Sequence, residues 1–126
     1  MQIKQGVDIV SVERLEEAGR RHGDRFLDRI FTADERTYCE SKRYKFEHYA
    51  ARFAAKEAMM KAMEIRSRNR LRFREIEVKR RATGKPEIFL SSEGFELFDL
   101  SKDARIELSM AHERDYAVSS VVILFP

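Results

Sequence analysis

The sequence predicts a single α+β domain over residues 1–126, with a mostly antiparallel sheet packed against a long central helix. Three observations predict it. The length of 126 residues suits one domain, and no repeat, linker or low-complexity stretch divides the chain. Residues 45–63 contain no Gly or Pro and carry apolar side chains at helical spacing. The remaining apolar segments are short, β-branched and bounded by turn residues, which is the pattern of paired strands.

In chain order, residues 3–10 are β-branched and apolar on both faces, as in a buried strand, except that Asp8 interrupts Val7-Asp8-Ile9-Val10. Ser11 is a suitable N-cap for a helix with Glu13 in its first turn and Val12, Leu15 and Ala18 on its apolar stripe, running to about His22 and ended by Gly23. Phe26, Leu27, Ile30 and Phe31 make a further short helical piece. Thr32-Ala33-Asp34-Glu35 matches a capping box and starts another short helix. The long helix over 45–63 places Phe46, Tyr49, Ala50, Phe53, Ala54 and Met60 on its stripe. An arginine-rich connection leads to strands over 73–81 and 87–90 around the turn Thr83-Gly84-Lys85-Pro86. Ser91 or Ser92 caps a short helix through Phe95 and Phe98. Residues 105–111 and 116–125 then form a second antiparallel pair, with the nearly all-apolar run 118–125 as a central strand.

Composition narrows the function classes. Twenty-five basic and 22 acidic residues give a net charge of only +3, with basic clusters at 14–25, 42–45 and 66–81. Those clusters fit an acidic or phosphorylated partner, and equally a solvated surface. The single cysteine, Cys39, forms no internal disulfide, and no Cys/His cluster has zinc-ligand spacing. No run of 18 or more apolar residues is present and the first residues lack a secretion-signal plan, so a cytoplasmic protein without a membrane span is expected.

Four groups of residues resist a purely structural reading. Glu57 lies four residues after Phe53 and three before Met60, on the apolar stripe of the long helix, with Lys61 one turn beyond. A carboxylate in such a place must be paired, hydrogen-bonded or metal-bound, and a simple Glu57–Lys61 helix pair is the bland alternative. Asp8 is a second carboxylate in an apolar context, and two such groups brought together repel unless a divalent cation lies between them. Oxygen ligands suit Mg²⁺, which takes one or two protein carboxylates when a substrate phosphate completes its shell. Alone, Asp8 can instead cap a helix or end a strand. His112 stands at a strand end and can contact a phosphate, move a proton or simply occupy a turn. Arg14, Arg21 and Arg25 share one face only if their helix continues past Gly23.

Gly6-Val7-Asp8-Ile9-Val10, followed by Arg52-Phe53-Ala54-Ala55-Lys56-Glu57-Ala58 with Lys61-Ala62, resembles the holo-[acyl-carrier-protein] synthase family of 4′-phosphopantetheinyl transferases. Glu75-Ile76-Glu77-Val78, Gly84-Lys85-Pro86, Ser109-Met110-Ala111-His112 and Asp115-Tyr116-Ala117 look like the family's later blocks in the same order, so the resemblance covers essentially the whole chain. It implies a transferase-like fold and transfer of 4′-phosphopantetheine from coenzyme A to a serine of apo acyl carrier protein, releasing adenosine 3′,5′-bisphosphate, a step of fatty acid biosynthesis. By the same likeness, Asp8 and Glu57 hold Mg²⁺, Glu57 is the base, directly or through a bound water, and Lys61 steadies phosphate oxygens. Arg52, Lys85, Pro86, Ser109 and His112 match coenzyme A-binding positions. Arg14, Arg21 and Arg25 would dock the acidic carrier protein. A homotrimer with active sites between subunits is also implied.

The sequence departs from the family pattern after Ala62, where Met63-Glu64-Ile65-Arg66-Ser67-Arg68-Asn69-Arg70 replaces a glycine-containing loop. The arginines of the 66–72 segment can reach phosphate by side chain instead. Ala111 also stands where the family often has a hydroxyl residue. A noncatalytic module binding nucleic acid or another polyanion is the competing reading, as is a family member that has lost activity or changed its carrier. The paired acids argue against a nucleic-acid partner, because such a module gains nothing from carboxylates inside a strand and on an apolar helix face.

Overall fold

The computed structural model describes residues 1–65 and 70–126. In order, β1 (Gln2–Ser11), α1 (Val12–Ile30), α2 (Ala33–Glu40) and α3 (Lys45–Ala62) lead to a 3-10 helix (Arg70–Glu75). They are followed by β2 (Ile76–Arg80), β3 (Pro86–Leu90), α4 (Ser92–Phe98), β4 (Arg105–His112) and β5 (Tyr116–Phe125). The last strand is central: the larger sheet is antiparallel with order β1-β5-β4, and β2 and β3 pair as a separate antiparallel hairpin. Among the described residues, no helix is long and apolar enough to cross a membrane.

Local signals in the sequence set the element boundaries. Ser11 Oγ accepts from the Arg14 amide at 3.3 Å and opens α1. Gly23, at φ 67° and ψ −156°, interrupts α1, a conformation that residues other than glycine rarely adopt. The Thr32–Glu35 capping box is complete, with both reciprocal bonds formed. Ser91 Oγ accepts from Gly94 N and caps α4.

α3 runs across the inward face of the larger sheet, and its Ala-rich surface lets the layers approach closely, with Ala50, Ala51, Ala54, Ala55 and Ala58 fully buried. The approach is tightest at Gly6, where an added Cβ would lie 2.2 Å from Ala58 O and 2.7 Å from Ala62 N. Only glycine allows β1 to lie so directly on the helix. The other side of α3 is tied by Lys56, whose Nζ is fully buried and donates to Ile30 O (2.8 Å), Glu35 Oε1 (2.7 Å) and Phe73 O (3.0 Å). Glu35 also accepts from the Thr32 and Val78 amides. One buried ion pair therefore joins α1, α2, α3, the 3-10 helix and β2. Burial pulls the Lys56 ammonium below its ordinary pKa, while Glu35 opposes that shift.

Two expectations need correction. β1 is not buried on both faces: Lys4, Gly6, Asp8 and Val10 face inward, whereas Ile3, Val7 and Ile9 are 60%, 57% and 65% exposed on the outward face. An apolar outward face of a strand is covered only if something packs on the sheet, which a strand's own composition does not specify. Residues 73–75 are not strand but the end of the 3-10 helix. There Phe73 packs against Phe53 and its carbonyl turns toward Lys56, which is incompatible with a place in the ladder.

Candidate active site

The candidate residues fall into two groups on opposite sides of α3. Glu57 and Lys61 are one turn apart, whereas His48 and Arg52 each lie nine residues from one of them, close to half a revolution around the helix.

In the first group, Asp8 projects from the inward face of β1 at the register position opposite Ser119. Lys61 Nζ lies 2.7 Å from Asp8 Oδ1 and 3.2 Å from Val7 O, so it reaches across to β1. Asp8 and the half-buried Glu57 line one cavity of about 590 Å³, together with Arg14, Leu15, Phe26 and Phe53. The structure thus brings Asp8, Glu57, Lys61 and Arg14 to one place. Among the described residues, no group of three or more His, Cys, Asp or Glu side chains is arranged so that it could hold a metal ion by itself. The carboxylates of Asp8 and Glu57 are hard oxygen donors, and they suit a cation whose shell is completed by substrate and water oxygens. A cation, the Lys61 ammonium, already sits on one of them, as the charge of the pocket demands.

In the second group, Arg52 is almost fully buried with its guanidinium 4.1 Å from the Tyr38 ring centroid. Lys42 and Arg80 stand 4.7 and 5.3 Å from the same ring. Arg52 donates to His48 O at 3.4 Å, and the His48 ring meets His112 edge-on at 4.8 Å. His112 Nδ1 lies 3.0 Å from Glu47 Oε1. Burial, with His112, Arg52, Lys42 and Arg80 nearby, pulls the His48 imidazole down to about 4. Two buried nitrogens in this group, His48 Nδ1 and Arg52 Nε, have no hydrogen-bond partner among the described residues. Such orphans cost free energy unless a partner reaches them; Arg52 Nε–H needs an acceptor, and the cations around Tyr38 favour an anion in that role.

The remaining expected residues are dispersed. Lys85 Nζ reaches Leu108 O at 3.5 Å, linking the β2–β3 turn to β4, and Pro86 opens β3 opposite Arg80. Ser109 faces outward opposite Ser120, whereas His112 faces inward toward α3. Arg21 pairs with Glu17 at 3.5 Å. Arg25, beyond the Gly23 break, lines a separate groove of about 810 Å³ with Asp28, Arg29 and Arg74, so the structure does not bring it to Arg14. Of the 66–72 arginine segment, residues 66–69 lie outside the described residues.

Sequence reasoning passed over Tyr38, Lys42, His48 and Arg80. A partial signal existed, because Tyr38–Lys42 and His48–Arg52 are both spaced one turn apart. What brings them together is the approach of α2 and the hairpin to α3, which is tertiary.

The family model of the 4′-phosphopantetheinyl transferase superfamily matches residues 5–121. A holo-[acyl-carrier-protein] synthase of Koribacter versatilis is 41% identical over 118 residues, covering 94% of each chain. One from Ruminiclostridium cellulolyticum is 40% identical over 124 residues, covering 98% of this chain and 92% of its own length. Among solved structures, the Chronobacterium ammoniagenes ACPS–CoA complex superposes with a TM-score of 0.87 at 29% identity, covering 100% of this chain and 99% of that one. The Helicobacter pylori holo-[acyl-carrier-protein] synthase in complex with coenzyme A gives 0.81 at 30% identity, covering 95% and 99%. With nearly the whole chain matched in sequence and in fold, this protein belongs to the holo-[acyl-carrier-protein] synthase family of enzymes, within the 4′-phosphopantetheinyl transferase superfamily.

Proposed function

We propose that the protein transfers 4′-phosphopantetheine from coenzyme A to a serine of an apo acyl carrier protein in the cytoplasm, with Mg²⁺, releasing adenosine 3′,5′-bisphosphate. The observation that carries this reading is the convergence of Asp8 and Glu57, from a strand and a helix, on one cavity with Lys61 beside them. The family's solved relatives that hold coenzyme A support the donor, and the relatives' names support the acceptor.

Asp8 and Glu57 would hold the metal, which supplies positive charge against the pyrophosphate as its anhydride bond breaks. Glu57 accepts the proton of the carrier serine as its oxygen attacks the β-phosphorus. A new serine O–P bond forms, the bridging P–O bond to the α-phosphate breaks, and the electron pair leaves on adenosine 3′,5′-bisphosphate. Lys61, a compact point charge, steadies the phosphate oxygens. Leu15, Phe26 and Phe53 wall the cavity with apolar surface, which lowers the local dielectric and strengthens these charge interactions.

The second group fits the nucleotide end of coenzyme A. Arg52, with His48 beside it, offers nitrogens that lack partners to the 3′-phosphate, and Lys85, Pro86, Ser109 and His112 complete the surroundings. Because the two groups lie across α3 from one another, one chain presents two half-sites. The uncovered apolar face of the sheet, carrying Ile3, Val7, Ile9, Tyr116 and Val118, suits packing against further copies. A homotrimer would bury this face and set one copy's Asp8 group beside its neighbour's Arg52 group. Arg14 and Arg21, before the Gly23 break, would meet the acidic carrier protein, and Arg25 would add to that contact only from its separate groove.

The test is intact-mass analysis of an apo acyl carrier protein incubated with the protein, coenzyme A and Mg²⁺, beside a sample containing EDTA. A gain of about 340 Da, the mass of the transferred arm, that disappears with EDTA is expected for this metal-assisted transfer. No gain on several carriers would overturn the reading in favour of a polyanion-binding or inactive protein.

A further inference from the structure

The contact between Lys61 and Asp8 is asymmetric in a way that matters for the metal. Asp8 is the anchored partner, with a side chain 16% exposed on a paired strand, whereas the Lys61 side chain is 55% exposed on a long flexible arm. The ammonium lies 2.7 Å from Asp8 Oδ1 and rests on a second acceptor, Val7 O, at 3.2 Å. An ammonium has three donors and no acceptor, so it can never join a metal's ligand shell. A divalent ion at Asp8 Oδ1 would meet a like charge at contact distance, and one of the two must leave.

We propose that Lys61 is the resident cation of Asp8 in the metal-free protein and exchanges with the divalent ion, an inference that rests on the reading of Asp8 as a metal ligand. Two consequences follow from the geometry. The ammonium keeps the half-buried carboxylate compensated before the metal arrives, so the pocket does not collapse or distort through an uncompensated charge. The exchange also releases the donor that held Asp8 at the moment the metal binds, leaving the ammonium free to turn toward a substrate phosphate. Lys61 then has more of its donors available to phosphate in metal-loaded protein, which makes metal and phosphate binding mutually reinforcing. The apparent metal affinity of the free protein is lowered by the fraction of molecules in which Lys61 occupies Asp8.

The experiment is Mn²⁺ binding to the full chain at low salt, without coenzyme A or carrier, followed by the loss of the free-ion electron paramagnetic resonance signal. Lys61→Met and the more polar Lys61→Gln should each bind Mn²⁺ roughly threefold to fivefold tighter than the unaltered protein, the scale of a partly exposed ion pair. Arg14→Met removes a cation from the same cavity without touching the Asp8 bond, and it should change the affinity by less than about twofold, as expected for a screened charge. Unchanged or weaker binding in both Lys61 variants, or an equal gain in Arg14→Met, would overturn the exchange. No Mn²⁺ binding by any variant would overturn it as well. Binding that survives Asp8→Ala intact would instead remove Asp8 as a ligand, and with it the functional reading beneath.

Discussion

Lys56 and Glu57 are adjacent on α3, about 100° apart around its axis, and serve different neighbours. The Lys56 ammonium is fully buried and binds Ile30 O, Glu35 and Phe73 O, whereas Glu57 lines the cavity that holds Asp8. The helix that presents the acidic group is therefore clamped by four other elements, and that packing helps to set the position of Glu57.

Replacing Lys56 by Met leaves Glu35 as a buried carboxylate without its cation, and Lys56→Met should cost about 3–5 kcal/mol in urea or thermal unfolding. Adding Glu35→Leu should recover part of that loss, since the pair is then removed together. A loss below about 1 kcal/mol in the single variant, the scale of an exposed pair, would contradict this account of the clamp.

Gly6→Ala places a methyl group against Ala58 O and Ala62 N, at distances no real contact tolerates. β1 must move away from α3, taking Asp8 with it. The expected outcome is a loss of about 1–3 kcal/mol, the cost of overpacking, and a fall in turnover of roughly a hundredfold, the scale of a misplaced catalytic group. Unimpaired turnover would show that Asp8 does not need this register.

His48 is neutral in the fold down to about pH 4 because burial disfavours its charged form, whereas in the unfolded chain it protonates near its ordinary value of 6.5. The unfolded state thus binds more protons between those values, so this group's contribution to stability is complete above about pH 6.5 and declines as the pH falls toward 4. Below that, both states are protonated and the dependence ends. In His48→Gln, stability measured by urea unfolding should fall less between pH 7 and 4, by on the order of 2 kcal/mol. Identical slopes in the two proteins would contradict the depressed pKa.

Arg14 lines the cavity of Asp8 and Glu57 on the side of α1. Arg14→Glu should raise the KM for the carrier protein several-fold, with kcat little changed and the effect shrinking at high salt, as expected for a steering charge. An unchanged KM would remove Arg14 from the docking face.

Much of this was legible in the sequence because it is local. The Thr32–Glu35 capping box, the Ser11 and Ser91 caps, the Gly23 break and the long helix each follow from residues within one or two turns of each other. Asp8 and Glu57 stood out because a carboxylate in an apolar pattern is anomalous wherever it falls. Three features were not legible. The exposure of Ile3, Val7 and Ile9 depends on what covers the sheet. The 3-10 turn at Phe73 is imposed by Lys56, 17 residues away. The gathering of Arg52, His48 and Arg80 around Tyr38 joins residues from three elements whose approach no spacing encodes.

The central claim is that transfer takes place at the Asp8–Glu57 cavity, and the most direct measurement is turnover of apo acyl carrier protein by Asp8→Ala and Glu57→Ala, each checked for native circular dichroism. The account predicts folded variants that each lose at least about 99% of the transfer seen with the unaltered protein, the scale expected for removal of a charge-stabilising group. Normal transfer by either folded variant would contradict it.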